Sequence, residues 1–319
     1  MPDLIAHHLF GHEVLNLMPA SVRSDAVHNV ADFDLGCNGP DPFFYYHTLP
    51  WQSGKHTSEV YSYGSLMHNR NISYLMERAL EYVKKYPVSR SYLYGFFCHY
   101  FLDRNTHPFV YYRAGFHDDH NKKHYHKRYE VGLDQYLLPI KQNTDFKHFH
   151  PTHILRIGYM NLPVSTAVIR NLLKEVYNVR MPEDFWRQSI EDFRNTILLL
   201  YAKTPMKRKI VQGVETVLGL SPLASSAMYP CPPEDYDFLN EAHAPWKKPC
   251  KPETTRTESF LELYENGINE ARRFFETLEQ WLNGNATIRQ LLDMIGNRSF
   301  DTDEVDLPML KCESIFDHN

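Results

Sequence analysis

The stretch CHYFLDRNTH, residues 98–107, places His99, Asp103 and His107 at successive four-residue intervals within an aromatic and apolar segment. On an α-helix, residues four apart lie above one another on the same face, so these side chains would project together over roughly 12 Å. Polar side chains are costly to bury without partners. The spacing therefore predicts a buried helix with one polar face, on which two neighbours could bind a single metal ion.

A second segment repeats this arrangement. In HYHKRYEVGLDQYLLPI, residues 124–140, His126 and Glu130 are four apart and Asp134 follows one turn later. Helical bundles build multinuclear metal sites from imidazoles and carboxylates on facing helices. A single pair of this kind is often only a contact on a helix surface, but two neighbouring sets favour a metal site. The five cysteines form no CxxC pair, so we expect nitrogen and oxygen ligands.

The composition is that of an ordinary globular protein, with 319 residues, 43% hydrophobic content and a formal net charge of −5. This charge gives no overall attraction to nucleic acid or to anionic membranes. No run of about 18 apolar residues occurs, and the amino terminus lacks the basic and apolar regions of a signal peptide. We therefore expect a cytoplasmic protein without a transmembrane segment, and no protein partner is implied.

Helical periodicity extends through most of the chain and predicts an all-α fold. Predicted helices cover 73–86, 89–107 with Pro108 as its stop, 124–140 with Pro139 as its stop, and 257–284 ending at Gly284. We expect one domain over 1–319, divided into a ligand-bearing core (1–140), supporting helices (141–220), a proline-rich loop (221–255), C-terminal helices (256–296) and a tail (297–319). The acidic stretch 301–306 is interpreted as solvated.

Further polar side chains occur upstream in apolar segments. Together with the two helical segments above, they form five separate motifs along the chain. The segments are AHHLFG, GPDPFFY, SLMH, GFFCHYFLDRNTHP and HKRYEVGLD. In this order they resemble the zinc-dependent phospholipase C family, whose fold also serves single-strand-specific nucleases. The resemblance is strong over residues 1–140 and looser beyond, where WKKP is followed by SFLELY. It implies an all-α enzyme that cleaves phosphate esters with clustered zinc ions.

The resemblance also implies a ligand set. His68, His99 and Asp103 would bind one zinc ion, with Asp41 either a further ligand or the general base at its bound water. A second zinc ion would bind His107, His126 and Glu130.

The resemblance leaves open whether a third zinc ion binds. Asp103 would bridge to it and His7 would bind it, with the adjacent His8 as the alternative ligand. In secreted relatives this ion is completed by an N-terminal tryptophan that cleavage exposes, whereas this chain begins MPD. We therefore expect two to three zinc ions.

The proposed chemistry follows from charge. A phosphodiester is anionic and repels hydroxide, whereas bound cations neutralise it and lower the pKa of water from about 15.7 to about 7. Imidazole and carboxylate ligands leave coordination positions for water and substrate. We expect Asp134 to orient a ligating histidine by a hydrogen bond rather than to bind metal. Iron and manganese bind similar ligands, so the choice of zinc as the metal rests on the resemblance.

Three classes of function stay open. The first is a metal-dependent phosphoesterase acting on phospholipid head groups or another phosphodiester. The second is a single-strand nuclease, for which a local basic groove around residues 122, 123, 127 and 128 could offset the net negative charge. The third is a non-catalytic metal-binding relative. The aromatic residues of 43–51 and Trp246 could line a pocket or fill the core.

Other histidines receive weaker interpretations. The HDDH segment at 117–120 contains the dipeptide used by HD-type phosphohydrolases, but its surroundings indicate a polar loop. The histidines of KHFHPTH, at 148, 150 and 153, are interpreted as bracketing a turn. His12 and His28 receive no role.

Overall fold

A computed structural model describes residues 4–49, 51–116, 124–202, 204–230 and 235–318. Within these ranges the fold is all-α apart from one two-stranded antiparallel sheet. The helices are α1 Leu4–Leu17, α2 Ala20–Val27, α3 Val30–Cys37, α4 Thr57–Asn69, α5 Ile72–Lys85, α6 Arg90–Ala114, α7 His124–Gln142, α8 Leu162–Tyr177, α9 Glu183–Leu200, α10 Met206–Val217, α11 Leu223–Ser226, α12 Phe260–Leu282 and α13 Ile288–Ile295. The strands are β1 Trp246–Lys248 and β2 Lys251–Arg256. No helix in these ranges has both the length and the apolar character needed to cross a membrane.

Helix α6 lies at the centre of the fold, with α1, α3, α7 and α12 packed around it. Its aromatic residues are buried on several sides, as the apolar density of the segment predicts. Gly36 on α3 faces Gly95 on α6, and a Cβ atom on either glycine would collide with the backbone of the other helix. The two glycines therefore allow an unusually close approach of α3 to α6, which fixes the helix that carries CHYFLDRNTH.

Both prolines that were expected to end helices lie inside them. Helix α6 continues past Pro108 to Ala114, and α7 continues past Pro139 to Gln142. An internal proline costs about 3 kcal/mol. Phe109 and Val110 are fully buried after Pro108, and burial of each such side chain contributes about 1.5–3 kcal/mol, which offsets that cost. The predicted ends at these prolines are therefore wrong.

The proline-rich segment 221–255 contains more regular structure than expected. It includes the short helix α11, strand β1 and most of strand β2. Trp246 on β1 is buried against Phe109 with its ring edge-on, and its indole nitrogen donates to the carbonyl oxygen of Glu258 at 3.0 Å. Trp246 is therefore a core residue that attaches the hairpin to α6.

The acidic stretch near the C-terminus is not solvated throughout. Phe300 is fully buried, and its backbone N–H donates to the carbonyl oxygen of His68 at 3.0 Å. The side chains of Asp301, Asp303 and Glu304 are only 14%, 21% and 18% exposed. This part of the chain packs against α4 and α6, so the interpretation of 301–306 as a solvated tail is wrong for these residues.

Candidate metal centre

Two imidazoles and two carboxylates converge where α4, α6 and the 3₁₀ helix Asp41–Tyr45 meet. His99 and Asp103 come from adjacent turns of α6, His68 from the last turn of α4, and Asp41 from the start of the 3₁₀ helix. All four side chains are buried. The Nε2 atoms of His68 and His99 lie 3.4 Å apart. We call this set the first cluster.

The spacing of these atoms fits a metal ion. The Nε2 atom of His68 lies 3.3 Å from Asp41 Oδ1, and the Nε2 atom of His99 lies 3.2 Å from Asp103 Oδ2. The two remaining nitrogen–oxygen distances, His68 to Asp103 and His99 to Asp41, are both 3.7 Å. Four tetrahedral ligands that each lie about 2.0–2.2 Å from an ion are themselves about 3.4 Å apart. The first cluster could therefore hold one ion with little rearrangement.

Local backbone geometry brings Asp41 to this position. Gly39 has a positive φ of 47°, and a Cβ atom there would collide with the ring of His99. Only glycine satisfies both conditions without strain. The loop between α3 and the 3₁₀ helix can therefore pass directly over the imidazole and place Asp41 beside it.

The protonation of His68 is set by its neighbours. Its Nδ1 atom lies 2.8 Å from the carbonyl oxygen of Gly64, an acceptor, so Nδ1 carries a proton and Nε2 faces the cluster. Burial opposes a charge on this ring, but Asp41 outweighs it and raises the pKa of His68 to about 9. Burial also raises the pKa of Asp41 itself. An ion entering the first cluster must therefore displace the Nε2 proton of His68.

His7 on α1 extends the first cluster on its far side. Its Nε2 atom lies 3.3 Å from Asp103 Oδ1, and its ring stacks on that of His99 with centroids 4.4 Å apart. The two oxygens of Asp103 thus face different imidazoles, which is the placement a bridging carboxylate requires. The adjacent His8 turns away and contacts Asp34 instead. Of the two alternatives, the structure brings His7 to the cluster.

The surroundings of the two carboxylate oxygens of Asp103 indicate whether a cation would fit at this position. Among the described residues, neither of its oxygens accepts a hydrogen bond of normal geometry, and both are fully buried. Burial alone would raise the pKa of Asp103, but the neighbouring imidazoles of His99 and His7 hold it well below its usual range. A buried ionised carboxylate whose imidazole neighbours make no hydrogen bond of normal geometry to it is disfavoured unless a cation binds it. The donor set therefore fits zinc.

A second cluster forms where α6 meets α7. His107, His126 and Glu130 each offer one ligand atom, all within 4.8 Å of one another. The Nε2 atom of His126 lies 2.8 Å from Glu130 Oε1. Burial lowers the pKa of His126 to about 4, so this ring is neutral near pH 7, as a metal ligand must be. This set could hold a second ion.

Asp301 also belongs to the second cluster, although the sequence interpretation missed it. Its Oδ1 atom lies 3.1 Å from Nδ1 of His107, and its Oδ2 atom accepts a hydrogen bond from Asn69 at 2.6 Å. Burial opposes ionisation, but the imidazole of His107 holds the pKa of Asp301 below its usual range. No local pattern relates residues this far apart in sequence, so no spacing signal could have found this contact.

Asp134 has a different role from the one expected. Its carboxylate accepts hydrogen bonds from the backbone N–H groups of Ile5 and Ala6 at 3.0 and 2.9 Å, and from the hydroxyl of Tyr229 at 3.0 Å. A carboxylate at this point satisfies free N–H groups of the first turn of α1 and complements the helix dipole. Asp134 therefore positions the helix that carries His7, whereas its orientation of a ligating imidazole stays a prediction.

A cavity of about 730 Å³ opens beside the second cluster. Its polar lining residues include His107, His126, Glu130, Lys127 and Asp301. The rest of its wall is largely aromatic and aliphatic: Phe44, Tyr45, Leu49, Tyr61, Tyr111, Leu199, Leu200 and Leu223. Part of the 43–51 segment therefore lines a pocket, which was one of the two alternatives for its aromatic residues. A wall of this kind would accept the apolar part of an amphipathic molecule.

The remaining candidates from the sequence have different outcomes. The HDDH segment at 117–120 and the lysines at 122 and 123 are outside the described residues. Lys127 reaches the cavity and donates to the hydroxyl of Tyr45 at 2.9 Å, whereas Arg128 stacks on the ring of Phe316 at 4.0 Å. His148 is exposed and contacts Asp145 in the turn that follows α7, in agreement with its interpretation as a turn residue.

Comparison with known proteins adds one positive finding. A family model described as zinc dependent phospholipase C matches residues 6–194, more than half of the chain. Comparisons with curated proteins and with solved structures gave no significant match. The matched region contains every residue of the two clusters except Asp301.

Proposed function

Because this chain belongs to the zinc-dependent phospholipase C family, we propose that it hydrolyses phosphate esters, with phospholipids as the substrate class. The observation that supports the proposal most directly is the pair of imidazole–carboxylate clusters, the second of which lines a cavity that also has many apolar side chains. A head-group phosphate would lie against the second cluster, and the lipid chains against the apolar side chains.

The residues of the first cluster have separate roles in this proposal. His68, His99 and Asp103 would bind one zinc ion, and Asp103 would share its second oxygen with a further ion bound by His7. Asp41 would either be a further ligand of the first ion or accept the proton of the attacking water. Burial raises the pKa of Asp41, and a higher pKa makes a carboxylate a stronger proton acceptor. When bound, zinc supplies positive charge to the phosphate oxygens and acidifies a water molecule.

The residues of the second cluster would bind a second zinc ion and fix its orientation. His107, His126 and Glu130 would be its ligands. Asp301 would accept the Nδ1 proton of His107 and so leave the other ring nitrogen for the ion, as carboxylate–histidine pairs do around metals. Lys127 lies 3.6 Å from Glu130 Oε2 at the edge of the cavity, where it could contact an anionic head group.

The proposal is tested by metal content and substrate choice together. Protein purified without chelator should contain at least two zinc ions per chain by elemental analysis. It should hydrolyse a choline phospholipid in mixed micelles faster than a bis-aryl phosphodiester, and single-stranded DNA more slowly than either. Fastest turnover of DNA would favour the nuclease alternative. Zinc-loaded protein without turnover on all three substrates would favour a non-catalytic relative, and near-zero metal content would overturn the proposal.

A further inference from the structure

A third group of metal-ligating side chains lies on another face of α1. His8 and His12 are one turn apart on α1, and Asp34 projects toward them from α3. The Oδ1 atom of Asp34 lies 3.2 Å from Nδ1 of His8 and 2.7 Å from Nε2 of His12. We call these three residues the outer cluster.

The outer cluster is separate from the two clusters of the candidate metal centre. Successive residues on an α-helix are rotated by about 100°, so His8 and His7 face different directions. His7 is only 1% exposed, whereas the side chains of His8 and His12 are 15% and 33% exposed. Solvent therefore reaches the outer cluster directly.

The donor set suits a divalent transition-metal ion. Two histidines at i and i+4 on one helix face are a recurrent chelating pair for zinc, and a carboxylate from a second element is a common third ligand. One ligand atom from each of the three residues lies within 4.8 Å of the others. Asp34 is almost fully buried and therefore held in place, while the more exposed ring of His12, whose Nε2 atom is now 2.7 Å from Asp34 Oδ1, can move outward to the separation of about 3.4 Å that two ligands of one ion have.

We propose that the outer cluster binds a divalent transition-metal ion, represented experimentally by Zn²⁺, with water completing its coordination. The ion would take the place of the hydrogen bonds that now link the two imidazoles to Asp34. It would also join α1 to α3 through a metal rather than through hydrogen bonds alone. This inference does not depend on the proposed phosphoesterase activity.

One neighbouring charge opposes the ion and offers a second test. A guanidinium nitrogen of Arg156 lies 3.6 Å from the other oxygen of Asp34, and this side chain is 45% exposed. A fixed positive charge this close weakens the binding of a cation. The variant Arg156→Gln should therefore bind the outer ion several-fold more tightly than the unaltered protein.

The experiment measures zinc stoichiometry by equilibrium dialysis against buffers of fixed free zinc. We expect His12→Ala to bind one zinc ion fewer than the unaltered protein. His148→Ala is the matched control, because His148 is also an exposed histidine beside a single carboxylate, and it should keep the full number. Asp103→Asn should lose zinc from the first cluster while keeping the outer ion, which separates this inference from the proposed function.

Folding of each variant is checked by its Tm before zinc is counted. Equal zinc content in His12→Ala and the unaltered protein would mean that the outer cluster is only a hydrogen-bonded contact between helices, and would overturn the proposal. An unchanged zinc affinity in Arg156→Gln would count against it independently, since that side chain is half-exposed and its replacement leaves the core intact.

Discussion

Replacing Asp103 with asparagine removes one negative charge from the point where the proposed ions meet and leaves the size of the side chain unchanged. Its oxygens lie 3.2 Å from Nε2 of His99 and 3.3 Å from Nε2 of His7, in a fully buried site. Removing one partner from a buried charged pair costs about 3–5 kcal/mol. Because about 1.36 kcal/mol corresponds to a factor of ten, zinc affinity at the first cluster should fall by roughly 10²- to 10⁴-fold.

The effect on catalysis should be at least as large. Two of the proposed ions depend on Asp103, so we expect kcat/KM for a choline phospholipid to fall by roughly 10³-fold or more. Zinc content after dialysis at fixed free zinc and initial rates on the same samples measure the two effects. Asp306→Asn is the control, since that carboxylate is 63% exposed and pairs with Arg70 at the surface. A folded Asp103→Asn variant with unchanged zinc content and turnover would refute the bridging role.

Three further predictions follow from the same geometry. Asp301→Asn should lower zinc affinity at the second cluster by about 10- to 100-fold, measured by competition with a chromogenic chelator, whereas Asp306→Asn should not change it. Because the pKa of His68 is raised to about 9, this ring holds a proton in the metal-free protein below that pH, and zinc must displace it. Apparent zinc affinity should therefore rise by up to about tenfold per unit between pH 6.5 and 8.5, and an affinity independent of pH would contradict this. Gly39→Ala should lower the Tm and the zinc content because its Cβ collides with the ring of His99 and its φ is positive, whereas Gly54→Ala, where a Cβ meets open space, should change neither.

The parts of the structure that sequence predicted correctly depend on short-range periodicity. His99, Asp103 and His107 lie on one helix face because that relation is fixed by spacing alone, and the all-α fold follows from the same kind of pattern. The helix ends at Pro108 and Pro139 were wrong because burial of the following and preceding side chains is a tertiary effect that local propensity does not contain.

The parts that sequence did not predict depend on contacts between distant residues. Asp301 meets His107 only because Phe300 packs beside His68, and no spacing rule relates these positions. Asp134 was expected near an imidazole, but nothing in the local sequence showed that its carboxylate accepts hydrogen bonds from the backbone of α1. Likewise, His12 received no role, because no local pattern shows that Asp34 lies opposite it.

The contact between His107 and Asp301 has a consequence for how the protein is made. A ribosome adds Asp301 long after His107 has been synthesised, when most of the chain has already left the exit tunnel. During that interval the nascent polypeptide has the imidazole but not the carboxylate that contacts it. Full assembly of the second cluster is therefore a late event in biosynthesis, and a product truncated after the family-matched region would lack this carboxylate.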